Sequence, residues 1–276
     1  MKLVFKSISF LFLMIFSSGK MMSQSSTIVL KDNWRFSKDV KDDASAINFD
    51  ASKWDKVSVP HDWAIYGPFD KKWDIQTGII EQNGEKEATE KTGRTGALPH
   101  IGTGWYRNSF TVPAFKKGKK ALLIFEGAMS EPQVFLNGKE VGKWGYGYSY
   151  FYIDITNDLL VGKENLLAVK LTNMPYSSRW YPGAGLYRKV SVIVKEEESF
   201  AQWGTFITTP ETKGDNAIVD IKAEFNGSNV SMVTQIKDAS NKVIATQKST
   251  EGKDGRFHQT IEVAKPRLWS PETPYL

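Results

Sequence analysis

The chain contains no cysteine. That absence excludes a disulfide framework, a thiolate nucleophile and a cysteine-type metal site. Histidine is nearly as scarce. His61, His100 and His258 are widely spaced, so no metal-binding histidine motif forms. There is no Gly-x-Ser-x-Gly elbow and no phosphate-binding glycine loop, so neither serine-hydrolase nor nucleotide chemistry is suggested. No cofactor and no metal is implied. A sustained 3.6-residue apolar period is missing too, which argues against long amphipathic helices. A basic excess is largely illusory. The formal charge of +5 falls to +2 once Lys2, Lys6 and Lys20 are set aside with the N-terminal segment described next. A basic partner-binding patch is not supported, and nucleic acid is not expected as a ligand.

Residues 1–23 read as an export signal. Lys2 and Lys6 supply a charged region, Ile8 to Phe16 an apolar one, and Ser17-Ser18-Gly19 and Ser23 the small residues that follow. The apolar run is shorter than the ~20 residues that span a bilayer, so no membrane span is expected. With no cysteine after it, a lipid anchor is excluded. The mature protein is expected in the periplasm or secreted.

What the chain does have is aromatics, 13% with 9 Trp, set among short apolar runs and turn signals. Ala121 to Phe125, Leu166 to Leu171 and Val190 to Val194 read as strands. Gln133 to Leu136 is followed by Asn137-Gly138 and then Lys139 to Val141. Asn-Gly supplies the two positive φ angles of a type I′ turn, so a hairpin is expected. The pattern predicts an all-β unit over 24–198, a two-sheet jelly roll. Residues 71–100 break the rhythm and read as a long surface loop, either a tolerated insertion or a rim over a site. Lys195-Glu196-Glu197-Glu198 reads as a solvated charge run at a domain boundary. Beyond it, alternating runs at 217–225, 230–236 and 257–263 suggest an immunoglobulin-like sandwich over 199–276. Such a sandwich takes about 100 residues and about 75 remain, so it is expected to be truncated.

One run stands apart: Ser178-Arg179-Trp180-Tyr181-Pro182-Gly183-Ala184-Gly185-Leu186-Tyr187-Arg188. Two glycines beside a proline specify a tight irregular loop. Aromatic faces and planar guanidinium donors on such a loop suit a sugar, which offers C–H faces and a rim of hydroxyls.

This run resembles the N-terminal domain of glycoside hydrolase family 2. So do Val59-Pro60-His61-Asp62-Trp63, Thr95 to Pro99 with Gly104-Trp105-Tyr106-Arg107, Val134 to Lys139 leading into Gly145 to Ser149, and Leu268 to Leu276. The five segments occur in the family's order. The form of two of them, Thr95 to Pro99 with Gly104 to Arg107 and the 178–188 run, is most similar to bacterial β-galactosidases, less so to β-glucuronidases or β-mannosidases. The resemblance implies a jelly roll packed beside a catalytic (β/α)8 barrel, with two of its loops reaching the sugar pocket. By similarity Asp62 sits at one such position and Arg179 with Ser178 at the other. A carboxylate accepts from vicinal hydroxyls and a guanidinium donates in a planar fork. The residue-level alternatives are a turn carboxylate for Asp62 and a surface ion pair for Arg179. Trp63 and Trp180 are candidate sugar-facing rings, with core or loop packing as the alternative for each. Arg107 and Arg188 read as structural, each at a strand edge.

Retaining glycosidases need two carboxyl groups about 5–5.5 Å apart. The family places its acid/base in an Asn-Glu pair on the barrel, and the chain contains no Asn-Glu dipeptide. A barrel takes about 200 residues or more, which do not follow the jelly roll here. No catalytic residue is therefore expected in this chain. The expectation is the non-catalytic part of a secreted β-galactosidase-like enzyme, with a carbohydrate and the barrel as partners. A stand-alone carbohydrate-binding module and a buttressing, oligomer-forming domain remain open alternatives.

Overall fold

The structure, a computed structural model, describes residues 25–74, 84, 86, 87, 95–174, 180–228, 230–250 and 253–274. The expected export signal, Ser178, Arg179 and most of the 71–100 loop lie outside them. Among the described residues fifteen strands run in chain order: β1 (Ser26–Val29), β2 (Trp34–Lys38), β3 (Asp55–Val57), β4 (Gly102–Thr111), β5 (Lys119–Phe125), β6 (Gln133–Leu136), β7 (Lys139–Lys143), β8 (Phe151–Asp154), β9 (Glu164–Asn173), β10 (Val190–Glu196), β11 (Ser199–Lys213), β12 (Asn216–Asn226), β13 (Ser231–Lys237), β14 (Val243–Thr250) and β15 (Arg256–Ala264). Among the described residues the helical content is two 3-10 turns, Lys71–Asp74 and Lys253–Gly255.

The first ten strands build two antiparallel sheets, ordered β1-β10-β5-β8 and β3-β2-β4-β9-β6-β7. This is the expected jelly roll. Leu123, Phe125 and Val192 from one sheet meet Trp34, Tyr106, Leu167, Val169 and Leu171 from the other, all fully buried. Burying such side chains contributes about 1.5–3 kcal/mol each relative to exposure, which is what holds the two faces together. The predicted hairpin is present as β6 and β7, with φ of 53° at Asn137 and 82° at Gly138.

The outer face of β4 is buried as well. Trp105 and Ala168 pack there with Ala44, Phe49 and Trp54, so the 39–54 segment covers the sheet. Arg107 fastens that cover. Its guanidinium donates to the carbonyls of Ala44, Ala46 (3.0 Å) and Ile47 (3.4 Å), with Phe49 beneath it at 5.5 Å. Arg107 is structural, as expected, but it is not at a strand edge. It sits inside β4, flanked by Arg35 on β2 and Ala168 on β9.

The charge run at 195–198 also needs correcting. Lys195 is buried on β10, and its Nζ donates to the Phe200 carbonyl at 2.7 Å. Glu196 pairs with Lys119 at 2.9 Å. The run is partly woven into the sandwich rather than wholly solvated.

The remaining strands form a sheet, β11-β12-β15, and a ribbon, β13-β14, the immunoglobulin-like arrangement. Ala223, Met232 and Phe257 are buried between them. The register of β11 shifts between Phe200 and Thr205, where Trp203 has a φ of 54°. There the indole meets the rings of Tyr150 and Tyr152, 5.9 and 5.4 Å away at the start of β8.

Candidate functional site

Two loops emerge at one end of the jelly roll and lie side by side. One follows β3 through Pro60 to Gly67; the other follows Trp180 and leads into β10. The main chain ties them: His61 N donates to Leu186 O at 2.8 Å, and Trp63 N to Ala184 O at 2.9 Å. Asp62 sits at the joint. Its Oδ1 accepts from Ala64 N at 2.9 Å, closing a turn within its own loop. Its Oδ2 accepts from Ala184 N at 3.2 Å on the other loop. The Tyr181 hydroxyl donates across both carboxylate oxygens at 2.5 Å. Burial, reinforced by the carboxylate, pushes the Tyr181 phenol well above its ordinary pKa, so it stays protonated as a donor.

Behind this joint the fit is close. The Tyr106 hydroxyl lies 2.7 Å from His61 Nδ1. Burial raises the Tyr106 pKa and lowers that of His61, so a neutral phenol meets a neutral imidazole. A Cβ on Gly185 would fall 2.3 Å from the Tyr106 hydroxyl and 2.7 Å from His61 O, and φ there is 120°. Only glycine fits. Gly185 also exchanges two 2.9 Å hydrogen bonds with Met129, bringing the 127–132 segment into the cluster. Asn173 Nδ2, at the end of β9, donates to His100 O at 2.7 Å and Gly183 O at 3.2 Å. The Tyr181 ring stands edge-on to His100.

The expected site residues divide. Asp62 is half-buried at the joint, held as a turn carboxylate with an interloop role added. Trp63 is a core side chain, 7% exposed and stacked on Phe36 at 5.8 Å. Its Nε1 is buried without a partner, and its ring offers no open face to a sugar. Trp180 is on the surface, 57% exposed, with Nε1 donating to the Tyr148 hydroxyl at 3.0 Å. Sequence reasoning missed Tyr181 as the partner of Asp62, and it quoted Tyr106 and Tyr148 within the resembling segments without giving either a role. Nothing local in the sequence announces contacts between segments so far apart. Among the described residues, no group of three or more His, Asp or Glu side chains is placed to hold a metal ion, and no helix is long and apolar enough to cross a membrane.

A model of the glycosyl hydrolases family 2 sugar binding domain matches residues 28–196. The chain belongs to glycosyl hydrolases family 2. A second family 2 model covers residues 204–276 of this family 2 chain. Over 270 residues it is 31% identical to β-galactosidase BoGH2A of Bacteroides ovatus, covering 94% of the chain and 30% of that protein. A β-glucuronidase of Formosa agariphila is 25% identical, over 92% of the chain and 27% of its own length. Among solved structures, a family 2 member from Bacteroides cellulosilyticus superposes with a TM-score of 0.72 at 29% identity, over 90% of this chain and 32% of that one. A β-glycosidase from Bacteroides vulgatus gives 0.73 at 27%, over 90% and 30%. The family 2 chain thus spans about a third or less of the proteins it matches.

Proposed function

We propose that this chain is the non-catalytic N-terminal portion of a secreted, retaining β-galactosidase, lending its two joined loops to the edge of the sugar pocket. The division at about residue 198 between jelly roll and second sandwich belongs to the same proposal, as does cleavage of an export signal over 1–23. The observation that carries the loop assignment is the Asp62 joint. A half-buried carboxylate, fixed by donors from both loops, holds them as one rigid rim with Trp180 exposed beside it. Preorganised polar groups next to an exposed aromatic side chain suit a carbohydrate. Asp62 is the substrate-contacting residue of the proposal, with Trp180 at its side. Ser178 and Arg179, next to Trp180 in the chain, complete the set by resemblance, and the catalytic barrel and a β-galactoside are the partners.

The test is an assay of two proteins, this chain and the longer enzyme extended to its relatives' length. The longer protein is expected to cleave a chromogenic β-galactoside faster than the matching β-glucuronide. The 276-residue chain alone is expected to cleave neither above a mock purification. Hydrolysis by the chain alone would overturn the non-catalytic assignment. A preference for the glucuronide would replace the galactoside reading with the second one, which the β-glucuronidase among the relatives favours. In the longer enzyme Asp62→Asn is expected to lower kcat/KM about tenfold, one charge-assisted hydrogen bond in magnitude. An unchanged kcat/KM would remove the loops from the pocket.

A further inference from the structure

Residues 144–152 read Trp-Gly-Tyr-Gly-Tyr-Ser-Tyr-Phe-Tyr, without a charge and without an aliphatic side chain. Trp144, 40% exposed, and the buried Phe151 anchor the segment. Trp144 stacks on Phe151 at 5.4 Å and Phe151 on Phe125 in the core at 4.6 Å, each pair within 10° of parallel. Trp144 Nε1 donates to Ser149 Oγ at 3.0 Å. Gly147 lies so close to Met129 that a Cβ would fall 2.6 Å from the sulfur, and its carbonyl accepts from the Tyr187 hydroxyl at 2.7 Å. Two further rings of the segment are exposed. Tyr146 is 60% exposed and Tyr148 42%, their rings 5.7 Å apart, and Tyr148 carries the hydrogen bond from Trp180.

We infer that Tyr146, Tyr148 and Trp180 form a stacking platform for the sugar units beyond the one that is cleaved, on the leaving-group side of a β-linked oligosaccharide. The placement rests on the proposed function above, through Trp180 and its neighbour Tyr181, whose hydroxyl holds Asp62. The occupant is argued from the chemistry of the patch. Exposed apolar clusters of this kind mark binding sites. The three rings themselves carry no charge and no aliphatic side chain. The cluster offers flat rings with hydroxyl and indole N–H rims, which match the C–H faces and hydroxyl edges of pyranose rings. The ground beside it is open: a Cβ on Gly145 would meet nothing within 4 Å. The bracing through Gly147, Tyr187 and the Trp144–Phe151–Phe125 stack means little ordering is left to binding.

The test compares chain lengths of the substrate. Titrated into this 276-residue chain, β-1,4-galactotetraose is expected to quench tryptophan fluorescence with a Kd of about 1 mM, and Tyr146→Ala to weaken binding about tenfold, the loss of one stacked ring. In the longer enzyme, Tyr146→Ala is expected to lower the ratio of kcat/KM for the tetraose to kcat/KM for the chromogenic galactoside about tenfold. A circular dichroism melt of the variant checks that the fold is retained. Equal tetraose binding by wild type and variant overturns the platform. So does an unchanged ratio in the longer enzyme, which would mean that another part of the protein covers these rings. A preference for chromogenic β-glucuronide would instead sink the galactoside reading. The length comparison is then run with a β-glucuronide oligosaccharide, and the platform stands or falls on the ratio alone.

Discussion

Without the Tyr181 hydroxyl, the Asp62 carboxylate would keep only the main-chain donors of Ala64 and Ala184. A hydrogen bond to a charged acceptor is worth about 1.5–3 kcal/mol, so Tyr181→Phe is expected to destabilise the jelly roll by about 2 kcal/mol in urea unfolding. A change below a few tenths would mean the two loops are held by their main chain alone. His61 gives the joint a pH dependence. Burial lowers its pKa below the ordinary value, so the unfolded chain takes up the proton first as pH falls. The stability it contributes is complete above about pH 6.5 and is lost progressively below that, until the folded-state value is reached. Melting temperature is expected to decline from pH 7 to pH 5, and His61→Gln to flatten the decline. Asp62 was singled out through the family resemblance of Val59 to Trp63, with a turn carboxylate as the alternative, and its bond from Ala64 N is that turn. Tyr181 was visible as a residue but not as its partner, since that contact exists only after the sheets have brought β3 and β10 to the same end. Trp63 was legible as a large apolar ring, but its burial against Phe36 depends on a neighbour no motif reveals.

Alternation and turn chemistry made several strands readable. β5, β9, β10 and β12 fall where apolar runs predict them, and Asn137-Gly138 placed the β6–β7 hairpin. β4 was harder. Both of its faces are buried, one by the core and one by the 39–54 segment, so its sequence mixes Trp105, Tyr106, Arg107 and Asn108 without a clear period. Arg107 read as structural but at a strand edge, because its three carbonyl acceptors on the 44–47 segment leave no local signal in the sequence. Burial lowers the Arg107 pKa, and among the described residues its guanidinium finds its partners in the three carbonyls. Arg107→Met would leave those carbonyls without their donor. It is expected to lower stability by about 2–4 kcal/mol in urea unfolding, with increased protease sensitivity in the 39–54 segment. Intact stability would show that apolar packing around Trp105 and Phe49 holds the segment unaided. β11 was missed for a related reason: the irregularity at Trp203 interrupts its alternation.

At the scale of the molecule, Trp203 is the aromatic bridge between the two sandwiches, set against Tyr150 and Tyr152. Trp203→Ala is expected to leave both sandwiches folded by circular dichroism while widening the small-angle scattering profile, because the relative motion of linked domains is the default once their contact is reduced. An unchanged profile would place the restraint elsewhere, with Lys195 and its bond to Phe200 O the next group to remove. The strand order carries a different message, one about time. β1 pairs with β10, Ser26 opposite Val194, so the first described strand finds its partner only in the last strand of the jelly roll. A ribosome delivers the chain from its N-terminus, and a sheet whose edge waits for its closing strand cannot be completed before that strand emerges. Throughout synthesis of the intervening strands β1 stays unpaired, an open edge for chaperones to guard.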